Sequence, residues 1–281
     1  MPLSVKNLTY VYNPGTPFES KALNDITLTI EDGEFVGILG HTGSGKSTFI
    51  QHLNALIKPT SGSVYVDGED INESKNKAAL RRRVGLVFQY PEYQLFEETV
   101  FKDVCFGPSN LGLSADEVKT SAERALETVG LKSDVWEQSP FELSGGQKRR
   151  VAIAGVLAMH PEVLILDEPA AGLDPVGRSE ILGIVKRIHD GGTTVIMVSH
   201  SMDDVARLCS RVIVLEKGSA VLDGPIREVF RHADALQKMG LRLPQAAALT
   251  RALNEKGFDL PDEIFTVEAL SKALLQKLLT R

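Results

Sequence analysis

The chain has 281 residues, of which 43% are hydrophobic and 24% charged, a composition typical of a globular protein with one large domain and a small appendage. Its net charge of −6 and pI of about 5.6 argue against a broad nucleic-acid-binding surface, so no nucleic-acid partner is expected. Two scattered cysteines, Cys105 and Cys209, exclude a disulfide framework or a zinc site and fit a reducing compartment.

The chain shows no sign of export or of a membrane span. Its N-terminus, MPLSVKNLTY, lacks a basic start followed by an apolar segment, so no signal peptide is expected. No apolar run approaches the roughly 18 residues that a membrane-spanning helix needs. A role in a membrane process would therefore be exerted from the cytoplasmic face.

Short apolar strands alternate with amphipathic helices over most of the chain. Two strand-like segments open it, and continuous apolar runs at 35–40 and 84–89 are typical of strands buried on both faces. A helix is expected from Pro175, with Asp174 as its N-cap. Three further buried strands are predicted at 162–168, 193–200 and 211–217. The alternation predicts an α/β fold with a mostly parallel sheet.

Two regions depart from this alternation. The region from about 95 to 160 is helical and too long for a simple crossover, so a helical subdomain beside the sheet is expected. After about residue 231 no strand pattern remains, and Leu243-Pro244 and Gly257 interrupt a helical tail. We therefore predict a first domain at 1–230 and a C-terminal helical domain at 231–281.

A glycine-rich loop carries the strongest chemical signal. The pattern GxxxxGK[ST] is met by Gly40-His41-Thr42-Gly43-Ser44-Gly45-Lys46-Ser47, between a buried strand and a helix expected to stop just before Pro59. Glycines let the backbone wrap around phosphates, and successive N–H groups attract the anion. In such a loop Lys46 reaches the β- and γ-phosphates and the Ser47 hydroxyl ligates Mg²⁺. The loop predicts binding of ATP with Mg²⁺.

Polar residues follow the predicted buried strands. Asp167 can hold Mg²⁺, usually through water, and Glu168 can orient or deprotonate the attacking water. The Gln89 amide can contact Mg²⁺ or the water, and the His200 imidazole can hydrogen-bond the γ-phosphate, although a lone histidine at a strand end is more often a turn residue. Coupled to the loop, these residues predict ATP hydrolysis.

A second phosphate-binding surface is indicated by Leu143-Ser144-Gly145-Gly146-Gln147. Ser144 and Gln147 have capping-box spacing, so this segment opens a helix whose N–H groups the two glycines leave unobstructed. A plain helix cap is the alternative. The chain then has two phosphate-binding surfaces but one lysine-bearing loop. If they cannot meet within one chain, two chains must pair head to tail.

Basic residues form two clusters, at 81–83 and 148–150. Neither has interleaved aromatic residues, which a nucleic-acid surface would favour. We expect them to be solvated faces or partners of phosphates and carboxylates inside the fold.

These segments occur in the order GHTGSGKST, VFQ, LSGGQ, LILDEP and VSH, and the ordered set resembles the ATP-binding cassette (ABC) ATPases over about residues 3–230. The resemblance implies a P-loop nucleotide-binding core in which antiparallel N-terminal strands accompany a mixed, mostly parallel sheet, with a helical subdomain and a C-terminal helical extension.

The resemblance also implies a role for each matching residue. Tyr12 stacks on adenine, Glu168 is the catalytic carboxylate and His200 the switch histidine. Ser47, Gln89 and Asp167 bind Mg²⁺, directly or through water, and Gln89 is also one of the catalytic residues. The nucleotide phosphates are surrounded by Gly40, His41, Thr42, Gly43, Ser44, Gly45, Lys46, Ser47 and Thr48. ATP bound to the opposite subunit is contacted by Ser144, Gly145, Gly146 and Gln147. The loop Gly172-Leu173-Asp174 joins the two sites.

A narrower resemblance concerns the segment 88–96, FQYPEYQLF, followed by Glu97-Glu98-Thr99-Val100. With 13–17 and the helical tail, it is similar to the ATPases of energy-coupling factor (ECF) transporters, which import vitamins and transition-metal ions into prokaryotes. That implies a peripheral protein on the cytoplasmic face of the cell membrane, paired through its tail with a second ATPase, either a paralogue, which we favour, or an identical chain.

In that family the paired ATPases dock on an integral membrane coupling protein, and a separate substrate-binding membrane protein supplies specificity. Glu97 and Glu98 can then receive basic side chains of the coupling protein, the alternative being a solvated acidic turn. The sequence does not indicate the transported substrate, because the ATPase does not touch it.

Three other functions are alternatives to that of an ECF ATPase. An ATPase of another ABC importer would share every catalytic motif and differ at 94–100 and in the tail. An ABC ATPase of DNA repair or translation usually carries coiled-coil or zinc insertions or two cassettes, which this sequence lacks. A regulatory module without turnover is disfavoured by Glu168 together with His200. Ala170 departs from the Ser or Thr common at that position but leaves the catalytic pair intact.

Overall fold

The computed structural model describes residues 2–73 and 77–279. Its strands are β1 (Leu3–Tyr12), β2 (Ser20–Ile30), β3 (Phe35–Leu39), β4 (Ser61–Val66), β5 (Glu69–Asp70), β6 (Val84–Val87), β7 (Val163–Asp167), β8 (Thr194–Val198), β9 (Arg211–Glu216) and β10 (Ser219–Pro225). Its α-helices are α1 (Lys46–Leu53), α2 (Lys77–Arg83), α3 (Val100–Asn110), α4 (Ala115–Thr128), α5 (Gly145–Leu157), α6 (Pro175–Asp190), α7 (Met202–Leu208), α8 (Ile226–Arg231), α9 (Ala233–Lys238), α10 (Gln245–Glu255) and α11 (Val267–Leu279). Within those two ranges, no helix combines the length and apolarity that crossing a bilayer requires.

The strands form two sheets. The larger has the order β10-β9-β3-β8-β7-β6, parallel from β9 to β6, with β10 antiparallel at one edge. The smaller sheet, β2-β1-β4-β5, is antiparallel. The predicted α/β fold with a mostly parallel sheet is confirmed, and the antiparallel N-terminal strands lie in a sheet of their own.

The parallel strands are covered on both faces, which explains their uninterrupted apolar sequences. In β3, Val36 and Ile38 face the apolar layer shared with the smaller sheet and α1, whereas Phe35 and Leu39 face the layer shared with the helical region. Every residue of β3, β7 and β8 is buried. The buried strands predicted at 35–40, 162–168 and 193–200 are therefore present, each slightly shorter than the pattern suggested.

Two groups of helices occur in addition to the helices that alternate with the strands. Between β6 and β7, α3 packs against α4 and α5. After β10, α8 to α11 follow one another with a small apolar cluster that includes Leu260, Ile264 and Leu270. The rings of Phe230 and Phe265, 5.4 Å apart, join this tail to the end of the first region.

One predicted boundary is wrong. The helix after the glycine loop, α1, ends at Leu53 and does not continue to Pro59. Asn54 donates its side-chain amide to the Val84 carbonyl of β6, and Ala55 has a left-handed φ of 55° that ends the helix. The tertiary hydrogen bond of Asn54 thus overrides the apolar periodicity of the following residues. The helix predicted from Pro175 is confirmed, with Asp174 capping the Gly177 N–H at 2.7 Å.

Candidate nucleotide and catalytic site

The carboxyl ends of four parallel strands bring the predicted site residues together. The loop at 40–45 follows β3, His200 follows β8, Asp167 ends β7 and Gln89 follows β6. Parallel strands place such residues along one edge of a sheet, where α/β proteins bind ligands. An open cavity of about 550 Å³ at this edge is lined by Tyr12, Ser20, Lys21, Ala22, Thr42, Gly43, Gly45, Lys46, Ser47, Thr48, Gln89, Asp167, Glu168 and His200.

Three residues of the cavity wall were not predicted from the sequence. Ser20, Lys21 and Ala22 begin β2, and the antiparallel pairing of Tyr12 with Ser20 places them in the cavity wall. They belong to no motif, and only the pairing partner of Tyr12 could have pointed to them. Gly40, His41 and Ser44 lie in the loop but not among the residues that line the cavity.

Two glycines of the loop are required by the fold itself. Gly40 has a φ of 153°, and a Cβ there would lie 2.4 Å from the Leu215 carbonyl oxygen. Gly45 has a φ of 102°, and a Cβ there would lie 2.6 Å from the Ala22 carbonyl oxygen. Because no side chain fits at either position, these glycines let the loop pass between the neighbouring strands.

Lys46 is held inside the loop. Its Nζ donates to the carbonyl oxygens of Gly40 and His41 at 2.7 and 2.9 Å, and the residue is only 7% exposed. Burial lowers the pKa of this ammonium, and the charges of Glu168 and Asp167 oppose that shift. The cation therefore lies in the cavity wall at the position where the loop can surround a phosphate group.

The residues predicted to serve Mg²⁺ fit a small, hard cation. The Ser47 hydroxyl donates to Asp167 Oδ2 at 3.2 Å, and Gln89 lines the same cavity. Burial raises the pKa of Asp167, and a cation bound beside this carboxylate would lower that pKa again. In residues 2–73 and 77–279 no cluster of three His, Cys, Asp or Glu residues forms a metal cage. Mg²⁺ commonly takes one or two protein oxygens and completes its shell with water and substrate phosphates.

Glu168 and His200 lie next to each other in the wall of the cavity. Glu168 has a left-handed φ of 51°, and its N–H donates to the Val198 carbonyl at 3.0 Å. Its Oε1 lies 3.2 Å from His200 Nε2, although the two are not aligned as a hydrogen bond. Burial raises the pKa of Glu168 to about 7 and lowers the pKa of His200, so the imidazole is neutral at pH 7. A strained backbone and a carboxyl with a near-neutral pKa are typical of a general base.

The raised pKa of Glu168 predicts how hydrolysis depends on pH. A general base must be ionised, and the ionised fraction of Glu168 grows as the pH rises through about 7. We expect kcat/KM for ATP to be about tenfold lower at pH 6 than on the plateau above pH 8. Rate measurements at constant ionic strength from pH 5.5 to 9 check this. A profile that is flat between pH 6 and 8 would contradict the assignment.

Tyr12 lies at the rim of the cavity and is held there by contacts with neighbouring side chains. Its hydroxyl is 3.1 Å from Thr48 Oγ1, which ties the tyrosine to the first turn of α1. The Tyr10 ring packs edge-on against Tyr12 and against His52, with ring centroids 4.8 Å apart in both pairs. The Tyr12 ring is 38% exposed. An aromatic face fixed at this place can stack on a nucleotide base.

The segment 143–147 lies away from the cavity that contains Lys46. Ser144 and Gln147 form the predicted capping box at the start of α5, with Ser144 N–H donating to Gln147 Oε1 at 3.0 Å. A Cβ added at Gly145 or Gly146 would meet no atom within 4 Å, so the fold itself does not require these glycines. None of the residues 143–147 is among those that line the cavity at Lys46. The two predicted phosphate-binding surfaces therefore do not meet within one chain.

Comparison with known proteins gives matches over nearly the whole chain. The ABC transporter family profile matches residues 23–171. The energy-coupling factor transporter ATP-binding protein EcfA2 of Clostridium perfringens is 56% identical over 279 residues, covering 98% of each chain. That of Clostridioides difficile is 54% identical over 280 residues, covering 98% of this chain and 97% of the relative.

Two solved structures have the same fold. The structure of cbiO1 from Clostridium perfringens, part of the ABC transporter complex cbiONQ, aligns with a TM-score of 0.75 and 41% identity over 89% of this chain and 98% of that one. A dimeric post-hydrolysis state of the ATP-binding cassette MJ0796, bound to ADP and Pi, aligns with a TM-score of 0.71 and 32% identity over 80% and 99% of the two chains.

Proposed function

We propose that a second ATPase completes the active site of this chain, because the chain belongs to the ABC transporter family. Its near-full-length relatives are energy-coupling factor transporter ATP-binding proteins, and it is the ATP-binding and ATP-hydrolysing subunit of an ECF-type importer. One observation supports the proposal: the segment 143–147 lies outside the cavity at Lys46, yet its two glycines leave open space at the N-terminus of α5, where an anion can bind.

Head-to-tail pairing brings the two surfaces into one site. In that arrangement 144–147 of one subunit faces the nucleotide held by the phosphate loop of the other. The open space around Gly145 and Gly146 lets phosphate oxygens approach the N–H groups at the start of α5. Contacts formed only in the closed dimer make ATP favour closure, and hydrolysis then favours opening.

Each residue of the cavity then has a distinct task. Tyr12 supports the adenine, and Lys46 neutralises the β- and γ-phosphates. Ser47, Asp167 and Gln89 would hold Mg²⁺, which supplies charge neutralisation on the phosphates. Glu168 accepts a proton from the attacking water, and His200 hydrogen-bonds the γ-phosphate from the adjoining strand end.

Gly145→Ala tests completion of the site by the second subunit. A Cβ there meets no atom of its own chain, and alanine favours a helix by about 0.5–1 kcal/mol over glycine, so thermal stability should be kept or raised. ATP hydrolysis should nevertheless fall about tenfold or more, since the methyl group covers the N–H groups offered to the partner's nucleotide.

Gly155→Ala is the matched control, because Gly155 lies on the same helix and a Cβ there also meets nothing within 4 Å. It should keep both stability and ATP hydrolysis. Equal hydrolysis rates for Gly145→Ala and Gly155→Ala would contradict completion of the site through 144–147.

A surface next to Gln89 is proposed to contact the integral membrane coupling protein. Tyr93 is 85% exposed, and Phe96 and Phe106 form an exposed edge-to-face pair 4.8 Å apart. The N–H groups of Phe96 and Glu97 both donate to Asp103 on α3, at 2.9 and 3.0 Å, which fixes this turn. Exposed aromatic residues beside acids suit a partner with apolar and basic side chains. The chain would thus work at the cytoplasmic face of a prokaryotic cell membrane, with a substrate-binding membrane protein in indirect contact.

Glu97 and Glu98 differ within this surface. Glu98 pairs with Lys102 at 2.5 Å, which lowers the pKa of Glu98, whereas Glu97 has no cationic side chain within ion-pair distance among the described residues. Glu97 is therefore the acid better placed to receive a basic side chain of the coupling protein.

The C-terminal domain at 231–281 is proposed to pair the two ATPases. On α11 the side chains of Val267, Leu275, Leu278 and Leu279 are all more than half exposed. An apolar strip of this kind on a terminal helix favours association with another helix. We propose a paralogous ATPase as the partner, with an identical chain as the alternative.

A further inference from the structure

Arg149 is a buried charge that the ATP-site assignment leaves unexplained. It lies near the start of α5, two residues after Gln147, and is only 2% exposed. We propose that Arg149 is a positioning residue that locks together the segment after Gln89, the helix that begins at Ser144 and the turn after Glu168. The inference rests on the proposed function of these three segments.

The first contact is a bidentate ion pair with Glu92. Arg149 Nε donates to Glu92 Oε2 at 3.0 Å, and Nη2 donates to Oε1 at 2.7 Å. Glu92 is itself mostly buried, in the turn between Gln89 and the aromatic surface proposed to face the membrane protein. A bidentate pair fixes both distance and direction, so α5 and this turn can move only as one unit.

The second contact is with the turn that follows Glu168. Arg149 Nη1 donates to the Pro169 and Ala171 carbonyl oxygens, at 3.2 and 2.6 Å. These carbonyls lie between the catalytic carboxylate and the loop Gly172-Leu173-Asp174. The same guanidinium thereby fixes the backbone that carries the proposed base.

Tyr90 closes the cluster. The Arg149 guanidinium carbon lies 5.8 Å from the centroid of the Tyr90 ring, a cation–π distance. The same ring approaches Gly172, where an added Cβ would lie 3.3 Å from its Cε1. Tyr90 also has a left-handed φ of 53°, so the residue directly after Gln89 is held in a constrained conformation.

The chemistry of the side chain explains why the link is rigid. Only arginine has five N–H donors in one plane. Here the guanidinium donates to a carboxylate on one side and to two carbonyl oxygens on the other. A buried charge is destabilising once its partners move away, so the three segments are constrained to shift together. A displacement of the Gln89 segment by the membrane protein would then reach the turn after Glu168 through Arg149. The neighbouring Arg150 forms a different pair, with Glu180 of α6.

Arg149→Lys tests the inference in the full-length chain. Lysine keeps the charge but cannot bind Glu92 with two donors and the carbonyls at the same time. We expect kcat for ATP hydrolysis to fall about tenfold to a hundredfold, because the base is displaced, while KM for ATP changes by less than about twofold. Glu92→Gln keeps the shape of the turn and should lower kcat in the same direction. The double variant should be no slower than Arg149→Lys alone, since both changes break one link.

Arg211→Lys is the matched control for loss of stability. Arg211 is also largely buried, and it binds Asp223 with two donors at 2.7 and 2.8 Å and the Thr29 carbonyl at 2.7 Å, in the β9–β10 region away from the cavity. Arg211→Lys should lower the melting temperature without lowering kcat. If Arg149→Lys does not fold, Glu92→Gln decides the question by the same readout.

The outcomes separate this inference from the proposed function. A kcat for the folded Arg149→Lys or Glu92→Gln variant within twofold of wild type overturns the positioning role, and so does an equal fall in Arg211→Lys. Absence of hydrolysis by the wild type would instead contradict the proposed function itself.

Discussion

Glu168→Gln is expected to lower kcat for ATP hydrolysis by about a hundredfold or more while ATP stays bound. The amide keeps the size of the side chain but cannot accept the proton of the attacking water. Loss of a carboxylate beside the phosphates also removes a like-charge repulsion, so ATP affinity should be kept or improved. Because hydrolysis is proposed to open the dimer, the variant should accumulate as an ATP-bound dimer.

Steady-state hydrolysis and size-exclusion chromatography with and without Mg-ATP measure both effects. Glu162→Gln is the control, since Glu162 precedes the same strand at its opposite end and pairs with Arg83 on the surface. It should hydrolyse ATP at the wild-type rate. Equal rates for wild type and Glu168→Gln would remove Glu168 from the catalytic role.

Lys46→Ala is expected to have the second largest effect, chiefly on binding. The Lys46 ammonium is the cation that the loop directs into the cavity, and its charge-assisted bonds to phosphates contribute about 1.5–3 kcal/mol each. The dissociation constant of ATP should rise about tenfold to a hundredfold. Hydrolysis should fall as well, because the charge on the β- and γ-phosphates is no longer neutralised.

Titration calorimetry and the ATP-induced rise in melting temperature check the Lys46 prediction. Lys186→Ala, which removes a lysine that pairs with Asp190 on the surface of α6, should bind ATP as the wild type does. Unchanged ATP affinity in Lys46→Ala would mean that the loop does not hold the phosphates.

The sequence predicts the sheet edge of the site well, for a physical reason. Asp167, Gln89 and His200 each follow an apolar run, and parallel strands bring such positions to one edge whatever their separation along the chain. The loop at 40–47 has its own local signature, which needs no tertiary information. The chemical roles of these residues are predictions, which the variants above test.

Features that depend on distant pairing are not visible in the sequence. The end of α1 is set by the bond of Asn54 to Val84, and the wall at Ser20 is set by pairing with Tyr12. The basic cluster at 148–150 suggests either a solvated face or a partner inside the fold, and no local pattern selects Glu92, 57 positions away, as the partner of Arg149. Such links follow from how the segments pack and not from periodicity.

We propose that this chain drives an ECF-type importer from the cytoplasmic face of the membrane. The most direct measurement is affinity purification of the tagged chain from detergent-solubilised native membranes, followed by mass spectrometry of the proteins that come with it. We expect a second, related ATPase and a small multi-spanning membrane protein, and the substrate-binding proteins found with them would identify the cargo. Recovery from the soluble fraction alone, or with a two-subunit permease and a lipoprotein, would contradict the claim.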